Sequence, residues 1–200
     1  MNTTTPPAEP GRRAAPPRSL FTLGAVLAAV GLAAFLAGLL GPHPQRAWQA
    51  FLINFLLWSA MAQGAVLFSA VTHTVKARWT GPLSGLAGAF AGFFPLSLVC
   101  FLVLLIGKNH LFPWLHEDLH GKEIWLNIPF LFTRDGVGFL ILYGIGWTFT
   151  VQDLKLRASA AGPDSRLRRL LAGRLPQNEA EVKRLQDRKA LWGGLYCFAF

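Results

Sequence analysis

The chain has 200 residues, 52% of them hydrophobic and only 14% charged, with a mean hydropathy of +0.38. A soluble domain carries about 25% charge, so this composition excludes an ordinary soluble fold and points to a membrane protein. The formal net charge of +9 does not argue for nucleic acid. Its basic residues stand in the links between apolar runs, where membrane orientation places them.

Residues 1–18, rich in Pro, Thr and Ala without apolar periodicity, are expected to form a disordered arm. Arg12-Arg13 invites a twin-arginine reading, but the following Ala-Ala-Pro-Pro gives no export context. Residues 20–40 form a charge-free run of 21, stopped by Gly41-Pro42. At about 1.5 Å per residue such a run crosses a hydrocarbon core about 30 Å thick, and it exceeds the apolar region of a cleaved signal peptide. Gly24, Ala28, Gly31, Ala34 and Gly38 would let a neighbouring helix approach closely.

Residues 48–75 make the second span, interrupted by Asn54, Ser59, Gln63, Ser69, Thr72 and His73. On a helical wheel Asn54, Ser69 and Thr72 fall near one line, with Ser59 and Gln63 opposite. Polar groups on two sides need partners on both, because hydrocarbon supplies none, so this helix belongs inside a bundle. The third span, 83–106, carries small residues at Ser84, Gly88 and Gly92, and Pro95 should kink it.

Between the third and fourth spans lies the stretch 110–134, with His110, His116, His120, Trp114 and Trp125. Tryptophan favours the bilayer–water boundary, so this segment reads as a structured cap, set within 108–129, at one membrane face. His116 and His120 could share a helical face at a spacing that suits zinc, but a solvated interfacial loop is the better explanation of them. No metal or other cofactor is expected to be bound by this chain. His73 is the one histidine within a span, so bis-histidine haem ligation fails. Cys100 and Cys197 both lie in apolar runs, which excludes a disulfide framework and an attached c-type haem.

The fourth span is expected at 130–151, with Arg134 and Asp135 in its first turns. Ionisable groups at that depth are costly and usually paired. Adjacent helical residues do not face each other well, so each should find a partner elsewhere. Residues 152–189 form a basic connector in which Leu167, Leu170, Leu171 and Leu175 alternate with arginines, a pattern suited to a helix on an anionic membrane surface. Asn178 and Glu181 form a capping-box pattern that starts a further helix. That helix runs into the apolar residues 190–200, too short to span, which read as the start of a truncated fifth transmembrane helix. The expected fold is therefore all-α: a polytopic bundle of four complete spans at 19–151, plus that fifth. With the N-terminus inside, fifteen of the nineteen Lys and Arg residues fall on the inner face, which sets the cap outside.

The run Thr72-His73-Thr74-Val75-Lys76-Ala77-Arg78-Trp79 resembles the His-Leu-Thr-Gly-Gly-x-Trp-like element of ActF subunits, membrane subunits of alternative complex III. Phe94-Pro95-Leu96, then Leu111-Phe112-Pro113-Trp114, then Trp125-Leu126-Asn127-Ile128-Pro129-Phe130 with Arg134, follow in that family's order. Together they cover residues 46–157. Thr72 stands where a second histidine is expected, and Leu131 replaces an aromatic residue.

The resemblance implies a bundle of the NrfD/polysulfide-reductase type, of which this chain is the N-terminal portion, in a bacterial inner (cytoplasmic) membrane. Such a subunit has no redox centre of its own. Quinol would bind in a sister subunit, and iron–sulfur and haem groups would sit in further partner subunits. The chain would then be a scaffold in quinol:cytochrome c oxidoreduction, non-catalytic alone. A proton half-path could run through His73, Asp135 and Arg134, with Asn54 and Gln63 as relays. The alternatives are an NrfD-like quinone-binding anchor, with the segment 114–134 closing over a head group, and a small transporter or channel.

Overall fold

The structure is a computed structural model, and it describes residues 18–112, 121, 126–161 and 165–200. The chain divides into two compact units, 1–47 and 48–200, with the division inside the first turn of a helix. Among the described residues there is no strand, and four helices are long and apolar enough to cross a membrane. The all-α transmembrane architecture follows. The arm at 1–17, Pro113 and Trp114, His116, His120 and Trp125 lie outside the described residues.

Helix α1, Arg18–Leu40, belongs to the first unit and is 23 residues long. Its Leu20, Phe21, Val26, Leu27 and Val30 are all more than half exposed, a surface that costs little in lipid and much in water. Gly38 lets Ala47 approach, since a Cβ there would stand 3.1 Å from the Ala47 Cβ.

The second unit is the bundle. Helix α2, Pro44–Thr74, runs 31 residues. Phe55, Ser59, Ala62, Gln63, Val66, Ser69, Ala70 and Thr72 are buried along it. They form one broad arc in place of the two opposed polar lines expected. Asn54 is exposed and turns back to its own helix, donating from Nδ2 to the Ala50 carbonyl at 2.9 Å.

The third span, Leu83–Ile106, is broken as Pro95 requires. Helix α3, Gly81–Ala89, passes into a 3-10 turn at Phe90–Phe93, and helix α4, Phe94–Ile106, starts afresh with Pro95 in its first turn. Proline has no N–H to donate, and its ring crowds the carbonyl four residues earlier, so the helix tightens just before it. A four-residue helical turn, Lys108–Leu111, follows.

Helix α5, Ile128–Ala160, exceeds the predicted 130–151 at both ends. Its start is set by Asn127, whose side-chain oxygen accepts from the Phe130 N–H at 2.8 Å, with Pro129 in the first turn. The expected basic connector is accordingly shorter: 152–160 continue α5, and 179–189 belong to the final helix α6, Glu179–Ala199. The surface helix expected around Leu167 and Leu175 shrinks to Arg166–Leu171 and a 3-10 turn, Ala172–Arg174, with Leu170 82% exposed. At the start of α6 the capping pattern is shifted by one residue. Glu181 accepts from the Gln177 N–H at 2.8 Å, and Asn178 makes no side-chain cap.

The apolar end of α6 packs into the bundle. Tyr196, Val66, Ala70 and Phe149 are fully buried, with Ala62, Ala91, Phe94 and Tyr143 around them. Phe94 stacks on Tyr143 with centroids 4.2 Å apart and planes 4° from parallel. Two glycines make this closeness possible. A Cβ on Gly146 would lie 2.8 Å from the Tyr196 ring and 3.0 Å from Phe94, and one on Gly193 would lie 3.2 Å from Phe149. Small residues therefore serve α5 against α6 as well as the α3 face anticipated at Gly88, whose Cβ would stand 3.8 Å from Thr150; Gly92 has open space beside it.

We expect Gly146→Ala to destabilise the bundle by about 1–3 kcal/mol, the usual cost of overpacking a filled core. Gly144→Ala, with nothing near its added methyl, should be neutral or slightly stabilising. Unfolding of the two variants in detergent measures the difference.

Candidate functional site

Three polar features stand out against the apolar bundle. The first is an ionic knot at one end. Asp153 on α5, 6% exposed, receives Arg157 Nε at 2.6 Å on Oδ2 and Lys189 Nζ at 2.7 Å on Oδ1. Arg157 lies one turn along α5 and also reaches α3, donating from Nη2 to Ser84 Oγ at 2.8 Å. Lys189 comes from α6, and its ammonium stands 5.6 Å from the centre of the Phe149 ring. Gly85 leaves room for the guanidinium, since a Cβ there would be 2.8 Å from Arg157 Nη1. One carboxylate thus ties three helices, and both its oxygens are used.

The second feature is a chain of buried hydroxyls. Ser59 Oγ and Ser97 Oγ are 2.6 Å apart, and Ser97 Oγ and Tyr143 Oη are 2.7 Å apart. It joins α2, α4 and α5 halfway along the bundle, beside the break at Pro95. In hydrocarbon these hydroxyls have no other partner, so the chain fixes the register of the three helices. Tyr196 adds a further tie, its hydroxyl donating to the Gln63 carbonyl at 3.3 Å.

The third feature is a pair of openings at opposite ends of α2. A mostly apolar cavity of about 520 Å³ is lined by Leu126, Phe55, Phe101, Phe132 and Phe139, with Gln63, Arg134 and Asp135 at its polar points. The other, about 330 Å³, is polar and lined by Ser69, Thr72, His73, Lys76, Thr80 and Lys189, together with Ala77 and Ser84. Its floor is the end of α2. There the Ala77 N–H bonds to the Thr72 carbonyl at 2.9 Å and the Lys76 N–H to the His73 carbonyl at 3.0 Å, the double closure that usually ends on a left-handed glycine. The left-handed residue here is Lys76, at φ 53°, a conformation that costs a side-chain-bearing residue about 1–2 kcal/mol.

The sequence-derived candidates are only partly brought together. Gln63, Arg134 and Asp135 share the apolar cavity, and His73 lies in the polar one, its ring 6.2 Å from Phe149. Asn54 joins neither cavity. The expectation that Arg134 and Asp135 find separate partners is overturned: Arg134 Nε donates to Asp135 Oδ1 at 2.9 Å. Both side chains are close to half exposed, 48% and 42%, so the arginine has room to fold back on its neighbour. Trp79 is 75% exposed, with its ring edge-on to Phe68. Phe130 is likewise exposed, and Leu126 is half-buried.

Asp153, Lys189 and the serine–tyrosine chain were missed in the sequence. Asp153 and Arg157 are four apart, an ion-pair spacing on a helix, but placing the end of the span at 151 left them in a solvated connector. Among the described residues no group of three or more metal-ligating side chains occurs. Compared with family models, curated proteins and solved structures, the chain finds a match in none of the three.

Removing one cation from the knot should be costly because it leaves one oxygen of a buried carboxylate without a partner. Lys189→Met is expected to cost about 3 kcal/mol. Adding Asp153→Asn should restore more than half of that, since Arg157, partly exposed, tolerates solvent in place of the carboxylate. A double-mutant cycle of unfolding in detergent reads the coupling.

Proposed function

We propose that this chain is an integral membrane scaffold, the N-terminal portion of an ActF-like subunit in a quinol-oxidising respiratory complex, and that it is not catalytic alone. It lies in a bacterial inner membrane with its N-terminus cytoplasmic, and it supports oxidation of quinol in a sister subunit. The main support is the place of the described motif residues. Asn127 and Pro129 start a helix, Pro95 breaks one, and Trp79 presents an exposed ring at a helix end. These are tasks of shape and depth in the membrane. The filled core of Val66, Phe94, Phe149 and Tyr196 likewise favours a scaffold over a transporter.

Two measurements test this reading. The chain tagged in its host should co-purify with haem and iron–sulfur subunits in a fraction that reduces cytochrome c with quinol. Purified alone, it should give no quinol-dependent reduction, and appreciable turnover by the lone chain overturns the proposal. The layout is tested by cysteine labelling: position 110 should react from the periplasmic side and position 183 from the cytoplasmic side.

One observation favours a second reading, the quinone-binding anchor. The 520 Å³ cavity combines four phenylalanines with Gln63, Arg134 and Asp135, a lining suited to a flat, mostly apolar ring with polar oxygens. On this reading a quinone analogue binds the purified chain, and Arg134→Leu weakens binding at least about tenfold, near 1.4 kcal/mol. Unchanged affinity in that variant removes the anchor reading and leaves the scaffold.

A further inference from the structure

The polar cleft at the end of α2 has an unusual balance of groups. Among the described residues no carboxylate lines it. The nearest described one, Asp153, already has both oxygens occupied, by Arg157 and by Lys189. Lys76, at the rim, makes no ion pair among the described residues.

Three hydroxyls of the wall have their hydrogens committed to backbone, and that of Ser84 is engaged by Arg157. Ser69 donates to the Ser84 carbonyl at 3.1 Å, Thr72 to the Phe68 carbonyl at 2.8 Å, and Thr80 to the Ala77 carbonyl at 3.1 Å. The donors left for a guest are the ammonium of Lys76, the remaining N–H bonds of Lys189 and the imidazole of His73. Such a set accepts a compact anion with several oxygens.

Backbone conformation is a second, independent observation. Lys76 occupies the left-handed position that closes α2, where glycine or asparagine fits at lower cost. A lysine held in a strained position, at the rim of a cleft lined by no acid, points to a use for its charge. The cleft also lies at the terminus of a membrane-spanning helix, the depth at which lipid head groups sit.

We propose that this cleft is a phosphate-binding site, held chiefly by Lys76 with His73 and Lys189, and that its occupant is the phosphodiester of an anionic lipid. The site is independent of any respiratory role. Inorganic phosphate shares the recognised chemistry, so the experiment separates the two sources.

The full chain, purified in a neutral detergent, is titrated with phosphatidylglycerol and, separately, with inorganic phosphate. Binding is followed by native mass spectrometry and by phosphorus NMR. Phosphatidylglycerol should bind with one-to-one stoichiometry, and inorganic phosphate should compete only at much higher concentration. Lys76→Gly and Lys76→Asn remove the charge while suiting the left-handed backbone, so both should fold with unchanged or raised thermal stability and bind at least tenfold more weakly. Lys76→Arg should retain binding, and Lys108→Ala, a change at an exposed lysine after α4, should leave it unchanged. Binding of inorganic phosphate alone would keep the site but overturn the lipid as its occupant. Wild-type affinity in both charge-removing variants, or no binding of either probe, overturns the site itself.

Discussion

The bundle depends on one carboxylate that is buried away from solvent. Asp153 is held between a guanidinium on its own helix and an ammonium from the last helix, with Phe149 beneath the ammonium. A buried charge pair of this kind is a poor source of net stability, because desolvation consumes most of the attraction. Its value lies in specificity. Any slip of α6 along α5 by a turn would leave Lys189 and one oxygen of Asp153 unpaired in a buried setting, an error costing far more than a displaced leucine. The same reasoning covers Ser97, which receives or gives hydrogen bonds to two helices at once. Apolar packing in a membrane discriminates weakly between registers, since lipid competes for the same surfaces. A few buried polar contacts therefore decide where each helix stops.

Those contacts also explain why α6 belongs to the bundle although its first half is densely charged. Its polar half extends from Glu179 to the knot at Lys189, and its apolar half descends past Gly193 to Tyr196. Lysine has a long apolar stem, so Lys189 can bury its chain while its head finds Asp153. The helix thus passes from a solvated to a buried environment within about one turn, and the ion pair marks the passage.

Much of this was legible in the sequence, and the limits have physical causes. Four apolar runs gave four helices because run length and the absence of charge suffice to define a span. Pro95 announced the break in the third, since a missing N–H is a local fact. What could not be read locally was pairing across helices. Asp153 looked like part of a solvated connector because hydropathy falls near Gln152, whereas the helix continues to Ala160 under its own hydrogen bonds. Serine and tyrosine in apolar runs are ambiguous until a partner is found, and Ser59, Ser97 and Tyr143 come from three separate spans. The adjacent pair Arg134 and Asp135 failed for the opposite reason. Spacing rules for helix faces describe Cβ directions, and an arginine at a half-exposed helix start is long enough to escape them.

The two cavities divide the candidate residues along lines that chemistry would also draw. Among the described residues the charges of the aromatic one stand in a pair that neutralises itself, which suits a neutral ring whose oxygens need one donor and one acceptor. The polar one has cations and, among the described residues, no acid in its lining, so it suits an anion and disfavours a cation or a neutral ring. Between them lies the closely packed layer of Val66, Ala70, Phe94 and Phe149, with Tyr143 and Tyr196 as its polar members. Tyr196 spans part of that layer, but its hydroxyl is spent on the Gln63 carbonyl. What joins the two ends of this bundle is rigidity, supplied by the hydroxyl chain and the carboxylate knot.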